Sequence, residues 1–192
     1  MSVPTPRRFT PQDYLDLERQ ADYKSEYLDG EIIAMVGASK EHNLVTGNVF
    51  ASLHSQLKKR PCEVYQVDMR VRVDPNGLYT YPDVIVVCGK AQFEDDQLDT
   101  LINPTLIVEV LSKSTKNFDR GEKFRRYRTL HSLQEYILIA QDNYLLEQYV
   151  RQADNSWRLI EINQPDAKVH LPSIDCELLL ADVYDKVELA KS

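Results

Sequence analysis

Asp83 in the stretch YPDVIVV and Glu109 in PTLIVEVL are single carboxylates set among valines, isoleucines and leucines. Neither has a basic neighbour inside its own apolar run. Taking an ionised carboxylate out of water is costly unless the group is paired, protonated or bound to a metal. Adjacent strands lie about 4.8 Å apart, so two carboxylates at matching depth on one face can share a divalent ion. Mg²⁺ suits such a site, because it takes oxygen ligands, one or two of them carboxylates, and completes its shell with waters and substrate phosphate. An ion held there activates water and neutralises charge on a phosphoryl group. Simpler roles are open to both residues: Asp83 can cap a turn after Pro82, and Glu109 can pair with an arginine across a sheet.

The elements that must position these groups follow from patterning. FTPQDYLDLERQ opens a helix, with Thr10 as cap, Pro11 in the first turn and Asp13 at the positive end of the dipole. SEYLDGEIIAM reads as a hairpin turning at Asp29-Gly30. Val45, Val49, Leu53 and Leu57 form one apolar stripe of a second helix. CEVYQVDMRVRV alternates like one half-buried strand, and YPDVIVVC and PTLIVEVL are short buried strands separated by an acidic loop. DRGEKFRRYRTL reads as a helix, EYILIA as a strand, YLLEQYVRQADNSWRLIEI as a hairpin, and the tail around LLLADVYDKVEL as a short helix. This order predicts a mixed sheet flanked by helices, in the α/β to α+β range, with hairpins added at both ends. The expected organisation is a single domain spanning residues 1–192, with its core at about 42–140.

Composition narrows the classes. The 192 residues carry a net charge of −7, which argues against a protein coated in basic surface. Yet Lys113, Lys116, Arg120, Lys123, Arg125, Arg126 and Arg128 stand against only Asp119 and Glu122 in one short window. That run is either an ordinary solvated helix face or a surface for backbone phosphates. No apolar stretch approaches the roughly 20 residues that span a bilayer, and none near the N-terminus serves as a secretory signal. Three widely spaced cysteines, Cys62, Cys88 and Cys176, argue against a disulfide framework or a zinc site. The expected setting is therefore a reducing cytoplasm, with no membrane partner.

Taken in order, YPDVIVV, PTLIVEVLSKST, DRGEKFRRYR and LQEYILI resemble the core of the PD-(D/E)XK nuclease superfamily. They are most similar to its Uma-two family of restriction-endonuclease-like proteins, and the likeness extends from FTPQDYLDLE through SEYLDGEIIAMVGASKEHN over nearly the whole chain. The resemblance implies a restriction-endonuclease-like core, Mg²⁺ or Mn²⁺, and hydrolysis of DNA phosphodiesters. It implies Asp83 and Glu109 as metal ligands, with the Val110 carbonyl as a third.

The superfamily's usual lysine lies two residues after the acidic strand residue, where this chain has Leu111. A lysine on the following helix is the expected substitute. Asp119, Lys123 and Tyr127 fall at i, i+4 and i+8, about 40° apart per step on one helical face. Lys123 is thus the expected catalytic lysine, Lys113 its rival, and a plain helical pair between Lys123 and Asp119 the simpler alternative. The family pattern also places a histidine at His42, where a core or capping role is equally open. Glu26 and Glu31 rank below it as auxiliary acids. Ser112 either bonds a phosphate or ends its strand, and Tyr127 and Tyr136 read as core or supporting residues. The partner expected is DNA, bound by the basic run, and a homodimer is expected because cutting both strands needs two sites. A second class stays open, a nuclease fold with little or no catalysis that binds nucleic acid or protein.

Overall fold

The structure, a computed structural model, describes residues 8–75, 77–112 and 115–189. α1 (Pro11–Glu18) begins with a reciprocal cap in which Thr10 accepts from the Asp13 N–H and the Asp13 carboxylate accepts from the Thr10 N–H. β1 (Ser25–Leu28) and β2 (Glu31–Ala34) are joined at Asp29 and Gly30, whose φ angles of 48° and 94° make the tight turn. α2 (Lys40–Leu57) starts under the Ser39 hydroxyl, which accepts from the His42 N–H, and buries the predicted stripe of Val45, Val49, Leu53 and Leu57.

The segment expected as one strand is two. β3 (Cys62–Gln66) stops at Val67, where φ of 28° turns the chain, and β4 (Arg70–Asp74) enters a different sheet. The Val67 N–H bonds to the Asp83 carbonyl at 3.2 Å, so the break lies against the candidate site. β5 (Leu78–Thr80), β6 (Val84–Cys88), a short β7 (Thr100–Leu101) within the acidic loop, and β8 (Leu106–Leu111) follow. The predicted helix after β8 is composite: α3 (Lys116–Phe118), a π-helical turn (Asp119–Lys123) and α4 (Phe124–Tyr127). β9 (Glu135–Ala140), β10 (Leu146–Arg151), β11 (Trp157–Ile162), β12 (Lys168–Leu171), β13 (Cys176–Leu179) and α5 (Leu180–Val183) complete the chain.

The central sheet has the order β11-β10-β9-β8-β6-β3 and is mixed, since β8 and β9 run parallel while the other neighbours are antiparallel. A second sheet, β2-β1-β5-β4-β7, carries the N-terminal hairpin, and β12-β13 stand apart as a pair. Alternation along the central strands divides the core. Val84, Val86, Leu106, Val108 and Val110 face α2 and the C-terminal elements out to Tyr184. Ile85, Val87, Ile107 and Leu111 face the second sheet, through Val71, Leu78 and Leu101, together with Tyr127 of α4. Glu109 shares this second face, so its carboxylate points to where both sheets and the composite helix meet.

The cysteine expectation is corrected. Cys62 and Cys88 form a disulfide, because the antiparallel register of β3 on β6 sets them directly opposite one another. The pairing is invisible in their spacing of 26 residues, and it removes cysteine usage as an argument for a reducing compartment. Cys176 is a buried free thiol. Among the described residues, no helix is long and apolar enough to cross a membrane.

Candidate active site

β6 and β8 pair antiparallel with Val84 opposite Val108, and one further step in that register sets Asp83 level with Glu109. The Asp83 carboxylate closes this end of the ladder. Its Oδ2 accepts the Val110 N–H at 2.7 Å and lies 3.3 Å from His42 Nε2. Burial works against charge on the His42 ring, but Asp83 beside it and a hydrogen bond to the Val110 backbone raise its pKa above the ordinary value.

Lys123 is buried and comes from the π-helical turn. Its Nζ lies 2.9 Å from Glu109 Oε1, 3.4 Å from Glu26 Oε1 and 3.7 Å from Asp119 Oδ1. The helical pair with Asp119 is the longest of the three contacts, and Glu109 holds the shortest. Burial alone would lower the Lys123 pKa, but Glu109, Glu26 and Asp119 outweigh it and push it well above the ordinary range. The residue is therefore an ammonium at neutral pH, able to stabilise negative charge and unable to act as a base.

Glu109 is raised to about 8, first by burial and further by Asp119 and Asp83, with Lys123 pulling the other way. Asp119 is also raised, chiefly by burial. Asp83, Glu109, Glu26 and Asp119 thus crowd around one ammonium and one imidazole. A buried excess of carboxylate takes up protons or binds a cation.

Glu109 Oε1 accepts from the Tyr127 hydroxyl at 2.8 Å as well as from Lys123. Asp83 Oδ1 and Glu109 Oε2 accept no hydrogen bond from any described residue. Each acid therefore has one tied oxygen and one available oxygen. No three His, Cys, Asp or Glu side chains among the described residues converge as a ready-made cage. Two carboxylates, each with one oxygen outside these bonds, fit the Mg²⁺ pattern and not a closed zinc site.

The remaining predicted residues divide. Glu26 of β1 reaches the site and also accepts from the Thr80 hydroxyl of β5. Glu31 does not; it is exposed beside the hairpin turn, two residues further out and paired with Leu28. Ser112 exchanges hydrogen bonds with Thr115 as β8 gives way to the helix. Leu111 packs in the apolar cluster on the Glu109 face.

The basic run is largely neutralised by the chain itself. Arg120 forms a two-pronged pair with Glu147, with Nε at 2.8 Å from Oε1, and Arg125 pairs with Glu122 at 2.6 Å. Arg126 holds Glu122, Asp74 and Asp29 together. Among the described residues, Lys116 and Arg128 are exposed with no carboxylate partner, and Arg128 lies over the Phe124 ring. Lys113 lies outside the described residues. Sequence reasoning missed Thr80, which carries no local signal. It read Tyr127 as core or support, and the hydroxyl that donates to Glu109 is such a supporting contact.

Residues 11–181 match the family model Uma2, described as "Putative restriction endonuclease". The chain belongs to the Uma2 family. Its relatives include the uncharacterized protein sll1609 of Synechocystis sp., 40% identical over 169 residues that make up 88% of this chain and 96% of that one. A second Synechocystis relative, the uncharacterized protein slr1290, is 33% identical over 183 residues, 95% of this chain and 94% of its own. The Uma2 chain also superposes on a crystal structure described as a putative nuclease belonging to DUF820, from Anabaena variabilis, with a TM-score of 0.75. That match covers 94% of this chain and 99% of the other at 20% identity, which assigns the restriction-endonuclease-like fold.

Proposed function

We propose that this Uma2 protein hydrolyses phosphodiester bonds in DNA, using Mg²⁺ or Mn²⁺ held by Asp83 and Glu109 with the Val110 carbonyl as a further ligand. The observation that carries this reading is that Asp83, just before β6, and Glu109 of the paired β8 come to the same end of the ladder, with the Lys123 ammonium 2.9 Å from Glu109. When bound, such an ion supplies an activated water and neutralises charge on the phosphoryl group. The protein's own groups do the rest. Lys123 aims positive charge at the phosphoryl oxygens as negative charge builds there. His42 holds the Asp83 carboxylate in place. Lys116 and Arg128 contact backbone phosphates, which supplies affinity without sequence information. Two copies related by a two-fold axis would serve both strands of a duplex.

A different reading is favoured by two observations: three carboxylates hold Lys123, and Leu111 fills the usual lysine position. Both suit a fold that binds nucleic acid or protein without cutting. Incubation with supercoiled, linear and single-stranded DNA, in Mg²⁺ and in Mn²⁺, separates the two. Cleavage by the parent that disappears in Asp83→Ala supports the nuclease, while ion binding with every substrate left intact supports the binding module.

A further inference from the structure

Tyr127 is fully buried, and its hydroxyl donates to Glu109 Oε1, the oxygen that Lys123 also holds. A buried phenol needs a hydrogen-bond partner, and the other buried tyrosines among the described residues donate to no candidate metal ligand. Tyr14, Tyr136 and Tyr184 donate to the backbone carbonyls of Ser25, Asp119 and Ala140. Tyr79 and Tyr81 donate to Glu94 and Glu18, which Arg72 and Ser25 also engage. Tyr127 alone among these ends on a candidate metal ligand.

We infer that Tyr127 is a positioning residue that, together with Lys123, ties down Glu109 Oε1 and so presents Oε2 as the oxygen that meets the metal ion. This rests on the metal-binding reading of Glu109 proposed above. Two donors from one helical face, four residues apart, fix the rotation of the carboxylate about its last bond. Without the phenol, a single ammonium on a flexible stem holds Oε1, and the carboxylate can turn so that either oxygen faces the ion. The same hydroxyl neighbours Thr80, whose own hydroxyl bonds Glu26. The phenol thereby links the second sheet to the central one at the point where the ion is held. Partners that orient ligating groups in this way carry much of a site's affinity.

The test is a Mn²⁺ titration, followed by calorimetry, of the parent, Tyr127→Phe, Tyr136→Phe and Glu109→Gln, with the melting temperature of each. Tyr136 is the control: it is equally buried, its ring centroid lies 5.2 Å from that of Tyr127, and its hydroxyl touches no carboxylate of the site. Tyr127→Phe should weaken Mn²⁺ binding by between about 10-fold and 100-fold, the range usual for such outer partners. Tyr136→Phe should leave affinity within about twofold of the parent. In the Glu109→Gln background, Tyr127→Phe should add no further loss, because both act through one carboxylate. Equal weakening by the two tyrosine variants, or unfolding of Tyr127→Phe, assigns Tyr127 to packing and overturns the inference. Parent-like binding by Glu109→Gln overturns the ligand reading itself, whereas loss in Glu109→Gln with none in Tyr127→Phe overturns only the role of the phenol.

Discussion

Lys123 Nζ stands 2.9 Å from Glu109 Oε1, joining a π-helical turn to the second buried strand of the candidate site. The contact brings positive charge to the carboxylate from a helix, while the strand position two residues beyond Glu109 holds a packed leucine. Asp119 and Lys123, four residues apart in this π turn, are both buried on the inward side.

Lys123→Ala should abolish cleavage while the Mg²⁺ site persists: the carboxylates still hold the ion, and losing one donor to Glu109 Oε1 is offset by removing a positive charge beside it. The apo form should lose about 3–5 kcal/mol of stability, since Glu109, Glu26 and Asp119 are left without their shared cation. Adding Leu111→Lys to Lys123→Ala should recover part of the activity, as residue 111 faces the same way as Glu109. Full cleavage by Lys123→Ala would remove the residue from the mechanism and return attention to Lys113.

Apo stability should fall as pH rises from about 4.5 toward about 8. The Glu109 pKa is raised in the fold, chiefly by burial. Its stabilising protonated state is therefore complete below the unfolded value and is lost as pH climbs through the folded one. Asp119 and His42 are also raised and act with the same sign, while Lys123 stays charged throughout. Melting temperatures across this range should decline for the parent and decline less for Glu109→Gln or with saturating Mg²⁺. A flat parent profile would contradict the buried-acid account.

Replacing Lys116 and Arg128 together should lower the slope of log affinity for DNA against log salt by about 2, one for each phosphate that is no longer neutralised. Arg126→Ala should act mainly on the fold instead, costing about 1–3 kcal/mol, because Arg126 ties Glu122, Asp74 and Asp29 together. A slope unchanged by the first pair would make the whole run a solvated, self-paired helix face.

Much of the site was legible because carboxylates stand out in apolar strands and because helical spacing aligns Asp119, Lys123 and Tyr127. Glu26 was less so: a hairpin glutamate looks exposed until β1 pairs with β5 and carries it under Lys123. The self-neutralised basic run was hidden for a similar reason, since Asp29, Asp74 and Glu147 lie far from it in sequence. The break at Val67 depends on a backbone angle that alternation does not report, and Cys62 meets Cys88 only through strand register.

Reduction should lower the melting temperature. The Cys62–Cys88 bridge closes a loop between residues 26 apart, which in the chain-entropy view stabilises the fold by about 3.5 kcal/mol. Thermal melts with and without dithiothreitol, set beside the Cys62→Ser/Cys88→Ser double variant, check this. Identical melts would show that the bridge contributes nothing to stability.

The central claim is that Asp83 and Glu109 together hold a divalent ion, and calorimetric titration of Mg²⁺ and Mn²⁺ into the parent and into Asp83→Ala tests it most directly. The account predicts a saturable site in the parent that is lost in the variant, with both proteins folded by circular dichroism. Equal binding by the two, or no binding by either, would contradict it.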